Sequence, residues 1–306
     1  MQTLYITHPA YRLHEMGAGH PESPDRLDAI TAALDKAGLL PLLQEKEARL
    51  ATDDDLLRVH TTQYLAEILA ASPTEGYCAL DADTVMNPHS LLAARAAAGA
   101  GLTAVDLIMA GEANKAFCSV RPPGHHACSD RAMGFCIFNN LAVTVAYTLE
   151  KYKLKRIAVI DFDVHHGNGT EEIFKDNENI LMCSFFQFPL YPGVHAINNQ
   201  KNMLNIALQP NSSGEDARKV VSDYWLPRLE AYQPEMFFIS AGFDAHADDG
   251  LAQLNLLEDD YAWISDQLLN IADRTAGGRV VSFLEGGYTL SALGRSVAAH
   301  IRSLAR

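Results

Sequence analysis

The sequence has no Cys-x-x-Cys pair, and its five cysteines (Cys78, Cys118, Cys128, Cys136 and Cys183) are odd in number and scattered. A disulfide framework or a cysteine-rich zinc site is therefore not expected, and a reducing cytoplasm fits. Positive charge is also scarce. Lys and Arg total 24 against 38 Asp and Glu, a formal net charge of −14. An acidic surface repels phosphate backbones, so nucleic acid is not an expected partner. The same charge weakly attracts cationic substrates such as lysine-rich peptides or polyamines, although its ordinary effect is solubility.

The segment Met1 to His8 has neither a basic n-region nor a long apolar run, so it does not read as a signal peptide. The stretch from Leu91 to Ala110 comes nearest to a membrane span. Arg95, Gly99, Gly101 and Asp106 interrupt it, and it reads as a buried Ala-rich helix. No membrane partner is expected. Only 20% of residues are charged and 48% are hydrophobic, which excludes a disordered chain and supplies a large core. No repeat, low-complexity tract or Pro/Gly/Ser-rich linker divides the sequence, so residues 1–306 read as one domain.

Short apolar, β-branched runs alternate with longer helical patterns. The strands expected are Thr3–Thr7, Lys115–Val120, Arg156–Phe162, Ile180–Phe186, Met203–Ala207, Glu235–Ser240 and Arg279–Leu284. Helical periodicity covers Pro24–Ala37, Ser90–Ala110, Phe138–Lys151, Gly214–Ala231, Glu258–Ala276 and Leu290–Leu304. The alternation predicts an α/β layered fold around a mostly parallel sheet. Ligands of such sheets bind beyond the carboxyl ends of the strands. Four polar clusters fall there: Arg121–His126, Asp161–Thr170, Ser240–His246 and Glu285–Tyr288.

In extended backbone, residues i and i+2 share a face, so Asp161, Asp163 and His165 are expected to project together. Two carboxylates and an imidazole at a buried strand end are unfavourable without a cation. The donor set suits zinc, or manganese, cobalt or ferrous iron. Asp244, after the apolar Met236–Ile239 run, is the best further ligand, with a helix cap as its ordinary alternative. Three protein ligands would leave positions open for water and substrate. The tandem His125 and His126 follow the stiff Pro122-Pro123-Gly124 and suit proton transfer near neutrality. Tyr288, after Gly286-Gly287, suits donation to a developing oxyanion, or else is a half-buried core tyrosine.

Taken together, Arg121–Ala127, Gly134–Asn140, Ile160–Thr170, Ser240–His246 and Glu285–Tyr288 resemble the zinc-dependent histone deacetylase family of the arginase–deacetylase superfamily. They stand in that family's order and span nearly the whole chain. The double proline, Asn168, and the segment His20–Leu27 resemble class II members. The resemblance implies a single-domain three-layer α/β/α fold and zinc held by Asp163, His165 and Asp244. It implies that His126 is the general base and acid and that His125 is its electrostatic partner. Asp161 would support His125, and Asn168 would support His126. Phe135 and Tyr191 would wall the lysine channel beside Gly134 and Gly287, with Tyr191 a departure from the commoner phenylalanine. Potassium is implied near Asp161, Asp163, His165, Ser184 and Phe185, with a second ion near Phe174.

The implied reaction is hydrolysis of an N-acyl amine, most simply acetyl-lysine in a peptide or protein, by water bound to zinc; iron(II) would suit the same ligands. An acetylpolyamine amidohydrolase is the alternative. Relatives with that activity place a glutamate where this chain has Leu251, which favours acyl-lysine. An arginase-like manganese ureohydrolase and a silent acyl-lysine binding module fit the His-His pair and Tyr288 less well. Acyl chains longer than acetyl stay open.

Overall fold

The computed structural model describes residues 2–194 and 201–306. Its strands are β1 (Thr3–Thr7), β2 (Leu43–Glu47), β3 (Cys78–Ala79), β4 (Val85–Met86), β5 (Lys115–Cys118), β6 (Ile157–Asp161), β7 (Ile180–Gln187), β8 (Met203–Leu208), β9 (Met236–Ala241) and β10 (Val280–Leu284). Eight of them form one sheet in the order β2-β1-β5-β10-β9-β6-β7-β8. Every neighbouring pair in it is parallel. β3 and β4 make a separate antiparallel ribbon.

Every residue of β6, β7, β9 and β10 is buried. Successive strand residues point to opposite faces, so both faces of the central sheet are covered. The result is the expected three-layer α/β fold. Helix Leu290–Leu304 packs on both Asp25–Lys36 and Glu258–Thr275, and Ser90–Met109 packs on Asn140–Tyr152. Helix Ser90–Met109 is long and apolar enough to cross a membrane by length and composition, yet 67% of its most apolar window is buried inside the molecule. It is a core helix here, and its alanines let it lie close to its neighbours.

All the strands expected from the sequence are present. β2 was not anticipated, because Leu43-Gln44-Glu45-Lys46-Glu47 is polar. It is an edge strand, and a charged, half-exposed strand is how edges avoid further pairing. The pattern over Gly214–Ala231 is helical but not uniform. α-Helix gives way to a π-turn at Val221–Trp225 before helix Leu226–Tyr232. Pro227 lacks an amide proton and would clash with the preceding turn of an α-helix, so the wider turn just before it relieves both.

Because the sheet is parallel, the carboxyl ends of its strands share one rim. The adjacent strands β5, β10, β9 and β6 deliver the loops carrying His125–His126, Tyr288, Asp244 and Asp163–His165 to it.

Candidate metal centre and catalytic site

β6 ends at Asp161, and the chain then bends through Asp163–His165. The segment is therefore not extended throughout, which alters the expected projection. Asp163, His165 and Asp244 each present a ligand atom within 4.8 Å of the others. Asp161 is outside that trio and points at His125 instead, with its Oδ2 3.0 Å from His125 Nδ1. Its Oδ1 accepts the Asp163 amide at 3.1 Å, which helps shape the bend.

Within the trio, His165 Nδ1 lies 3.0 Å from Asp163 Oδ1 and 3.2 Å from Asp244 Oδ2. Asp163 and Asp244 are fully buried. The Val164 amide donates to Asp244 Oδ1 at 3.1 Å, and the Gly286 amide donates to Asp163 Oδ2 at 2.9 Å. Asp244 Oδ2 is buried with no hydrogen-bond donor oriented onto it. A buried carboxylate oxygen with only a poorly aligned ring nitrogen beside it is costly, and a cation is the partner that this donor set fits. Two glycines make room for the carboxylates. A Cβ on Gly242 would stand 2.0 Å from Asp163 Oδ2, and one on Gly286 would stand 1.9 Å from Asp244 Oδ2. Any larger residue at either position would displace a ligand.

The electrostatics follow from burial and proximity. Burial and the Asp163 charge push Asp244 up to about 6. Burial also works against ionised Asp163, but His125 and His165 outweigh it and hold that carboxyl well below the usual range. Burial likewise disfavours charged His165, yet the adjacent Asp163 and Asp244 carboxylates raise it to about 10.

The two tandem histidines are driven apart. Their rings lie 4.0 Å centre to centre, and both are buried. Burial opposes charge on His125, but Asp163 and Asp161 prevail and raise it to about 10. His126 is lowered well below its ordinary value, first by burial and then by the positive His125 and His165. Splitting two like groups in this way assigns one as a fixed cation and the other as a neutral base. His126 Nδ1 is 2.8 Å from Asn168 Oδ1. The Asn168 amide nitrogen donates to Cys128 Sγ and Met133 Sδ, both at 3.4 Å. With the amide oxygen turned to Nδ1, that nitrogen carries the proton and His126 Nε2 is left as the acceptor.

Tyr288 is half-buried on the loop after β10. Its ring lies 5.8 Å from Phe135, edge to face, and the Arg26 guanidinium sits 5.1 Å from the ring centre. Tyr191 approaches from the other side, 5.1 Å from the His126 ring and 6.2 Å from that of His165. Gly134 lies against both His126 and Tyr191. Phe135 has φ 68°, an uncommon conformation for a bulky residue, and its amide donates to Thr84 Oγ1 at 3.0 Å. The Gly287 carbonyl accepts from Arg26 Nε at 2.8 Å. Leu251 is exposed on the loop after Asp244, with its amide on Asp249 Oδ1.

The residues named for potassium divide. Asp161 and Ser184 are direct register partners across β6 and β7, and Phe185 is the next residue of β7. Phe174 lies apart, at the end of helix Asn168–Phe174, and its carbonyl accepts from Asn202 Nδ2 at 3.0 Å.

Sequence reasoning gave no role to Glu285 or to the buried cluster behind the site. Glu285 Oε2 accepts the Gly124 and His125 amides at 2.7 and 3.2 Å, which fixes the histidine loop. Burial pushes its carboxyl up to about 7. Glu22, Arg26 and Arg121 are all fully buried, with Arg121 Nη2 2.7 Å and Arg26 Nη1 3.2 Å from the Glu22 carboxylate. The available signal was a carboxylate ending an apolar strand, the same one that singled out Asp161.

A family model described as the histone deacetylase domain matches residues 20–304. A histone deacetylase-like amidohydrolase of Pseudomonas aeruginosa is 38% identical over 89% of this chain and 73% of its own length. A probable deacetylase of Methanothermobacter thermautotrophicus is 37% identical over 98% of this chain and 90% of its own. The crystal structure of the HDA15 HD domain superposes with a TM-score of 0.92 at 33% identity, covering all of this chain and 90% of that one.

Proposed function

From the premise that the chain belongs to the histone deacetylase family, we propose that it is a zinc-dependent deacetylase acting on acetylated lysine-type amines. Deacetylase-type hydrolysis is the activity of the family; the metal, the substrate and the residue roles are our reading. The observation that carries it is the Asp163–His165–Asp244 trio, with both carboxylates buried and Asp244 Oδ2 lacking a well-aligned donor, beside a neutral His126. One domain spanning residues 1–306 is the simplest assignment. The five free cysteines favour a reducing, cytoplasmic setting.

Asp163, His165 and Asp244 would hold the ion. When bound, zinc supplies Lewis-acid polarisation of the acyl oxygen and acidifies water near neutral pH. His126 Nε2 takes the proton from the attacking water, because its Nδ1 is committed to Asn168. His125, positive and tied to Asp161, stabilises negative charge at the reacting centre. The Tyr288 hydroxyl donates to the developing oxyanion, and His126 returns the proton to the departing amine. Phe135 and Tyr191 flank the approach as apolar walls for an alkyl chain. Potassium near Asp161, Ser184 and Phe185 would be structural.

The rival substrate is an acylated polyamine. The uncharged Leu251 at the rim favours acyl-lysine, because a carboxylate there would be needed to favour a polycationic chain. The test is turnover of an acetyl-lysine peptide against N-acetylspermidine by protein loaded with zinc or with iron(II). Faster peptide turnover is expected. Faster turnover of N-acetylspermidine would reverse the substrate assignment, and iron-only activity would reverse that of the metal.

A further inference from the structure

Asp249 stands five residues beyond Asp244, on the same rim loop, and is 5% exposed. Its carboxylate accepts three backbone amides from two separate loops. Oδ2 takes the Tyr288 amide at 2.7 Å and the Thr289 amide at 3.1 Å. Oδ1 takes the Leu251 amide at 3.1 Å. The Asp249 amide in turn donates to the His246 carbonyl at 2.9 Å, which fixes the carboxylate's own backbone.

The place where this clamp acts gives it consequence. Tyr288 is preceded by Gly286 and by Gly287, whose φ is 121°. Gly287 has little intrinsic restraint, and the bonds on that side, from Arg26 to the Gly287 carbonyl and from the Gly286 amide to Asp163, stop short of the Tyr288 amide itself. On the other side, Thr289 is the N-cap of helix Leu290–Leu304. Its side chain makes no capping bond, and the first turn of that helix carries no acidic residue. Asp249 supplies both missing restraints from outside. It satisfies amides at the start of a long helix and places a negative charge at its positive end. A carboxylate accepting several amides is also a stronger acceptor than a neutral one.

We propose that Asp249 is a positioning residue that fixes Tyr288 for catalysis and couples its loop to the Leu251 rim loop. This rests on the deacetylase reading for the role of Tyr288, whereas the clamp itself rests on hydrogen bonds alone. Asp249 touches no reacting atom in this scheme. It acts by holding the phenol where the oxyanion develops, and catalytic groups displaced by about an ångström lose much of their effect.

The test compares wild type, Asp249→Asn, Tyr288→Phe and the double variant, all zinc-loaded, on an acetyl-lysine peptide. Asparagine keeps the volume and one acceptor oxygen but cannot serve both loops. Asp249→Asn is expected to lower kcat about tenfold or more, with KM within about threefold. In the Tyr288→Phe background the same change should cost less than about twofold, because its effect passes through the missing hydroxyl. Hydrogen exchange should quicken in peptides covering 286–290 and 249–252 together, with other regions unchanged. If Asp249→Asn does not accumulate as folded protein, Asp249→Ser serves in its place. An equal loss of kcat with or without the Tyr288 hydroxyl would overturn the proposal, as would unchanged exchange in 286–290. Wild-type protein without turnover would overturn the deacetylase reading instead, and the exchange comparison would still decide the clamp.

Discussion

His126 Nδ1 lies 2.8 Å from Asn168 Oδ1, so the base of the site leans on a neutral amide and not on a carboxylate. His125, one residue away, leans on Asp161. Burial lowers both histidines, so charge is what separates them: Asp163 and Asp161 raise His125, whereas the positive His125 and His165 lower His126 further. Asn168→Asp would give His126 an anion at the same distance. An opposite charge at that range raises a histidine pKa by about 1–3 units. The base must begin neutral, so the acidic limb of kcat/KM against pH should move to higher pH in Asn168→Asp. A limb that stays in place would remove His126 from the base role.

Tyr288→Phe keeps the ring against Phe135 and beneath Arg26 and deletes only the hydroxyl. Removing one oxyanion donor typically lowers kcat by about 10²–10³-fold. We expect a loss of that order with metal content and thermal midpoint unchanged. Turnover near the wild-type rate in the purified variant would mean that the phenol is a wall of the site and not a donor.

Metal removal has a stability readout independent of activity. Asp163 and Asp244 are buried side by side, and among the described residues Asp244 Oδ2 has only the His165 ring nitrogen, 3.2 Å away and poorly aligned, so the ion is the better partner for this oxygen. Chelation should lower the thermal midpoint. At zinc about 100-fold above its Kd, binding contributes roughly 2.7 kcal/mol. Asp244→Asn should abolish the zinc-dependent shift and leave the metal-free midpoint at or above that of the wild type. Stoichiometric zinc in Asp244→Asn by metal analysis would show that Asp244 is not a ligand.

The central strands were legible because parallel strands covered on both faces must be continuously apolar, as Ile157–Ile160 and Met236–Ile239 are. The trio was legible for a related reason. Asp163 and Asp244 interrupt or follow those runs where only a cation repays their burial. β2 was not legible, since its Glu45, Lys46 and Glu47 belong to an exposed edge and look like any solvated loop. Neither was Asp249. Its work is to accept backbone amides from Tyr288 and Thr289, thirty-nine and forty residues along the chain, and backbone donors leave no mark in a sequence. The bend after Asp161 was misread for a similar reason. It depends on the Asp163 amide finding Asp161 Oδ1, not on the i, i+2 pattern.

Two histidines away from the catalytic loop set the acid limit of the fold. His60 Nδ1 lies 3.0 Å from the Cys128 carbonyl, and its Nε2 accepts the Asn139 amide at 3.0 Å. His300 bridges Ser265 and Ser282 at 2.6 and 2.9 Å. Burial lowers His60 to about 4 and His300 to about 3. In the unfolded chain both protonate near pH 6.5. As pH falls below that value, the unfolded state takes up protons that the folded state refuses, so stability is full above about pH 7 and declines toward the folded values. Each group contributes a slope of about 1.4 kcal/mol per pH unit in that window, or roughly 3 kcal/mol by pH 4. His300→Gln removes one titrating group. It should be less stable than wild type at pH 7, because the serine bridge is broken, and yet lose stability less steeply on acidification. Urea midpoints measured from pH 7 to pH 4 test this. A slope as steep in His300→Gln as in wild type would mean that the acid sensitivity arises elsewhere, with Glu22 and Asp163, whose carboxyls are held below their ordinary range, the next groups to examine.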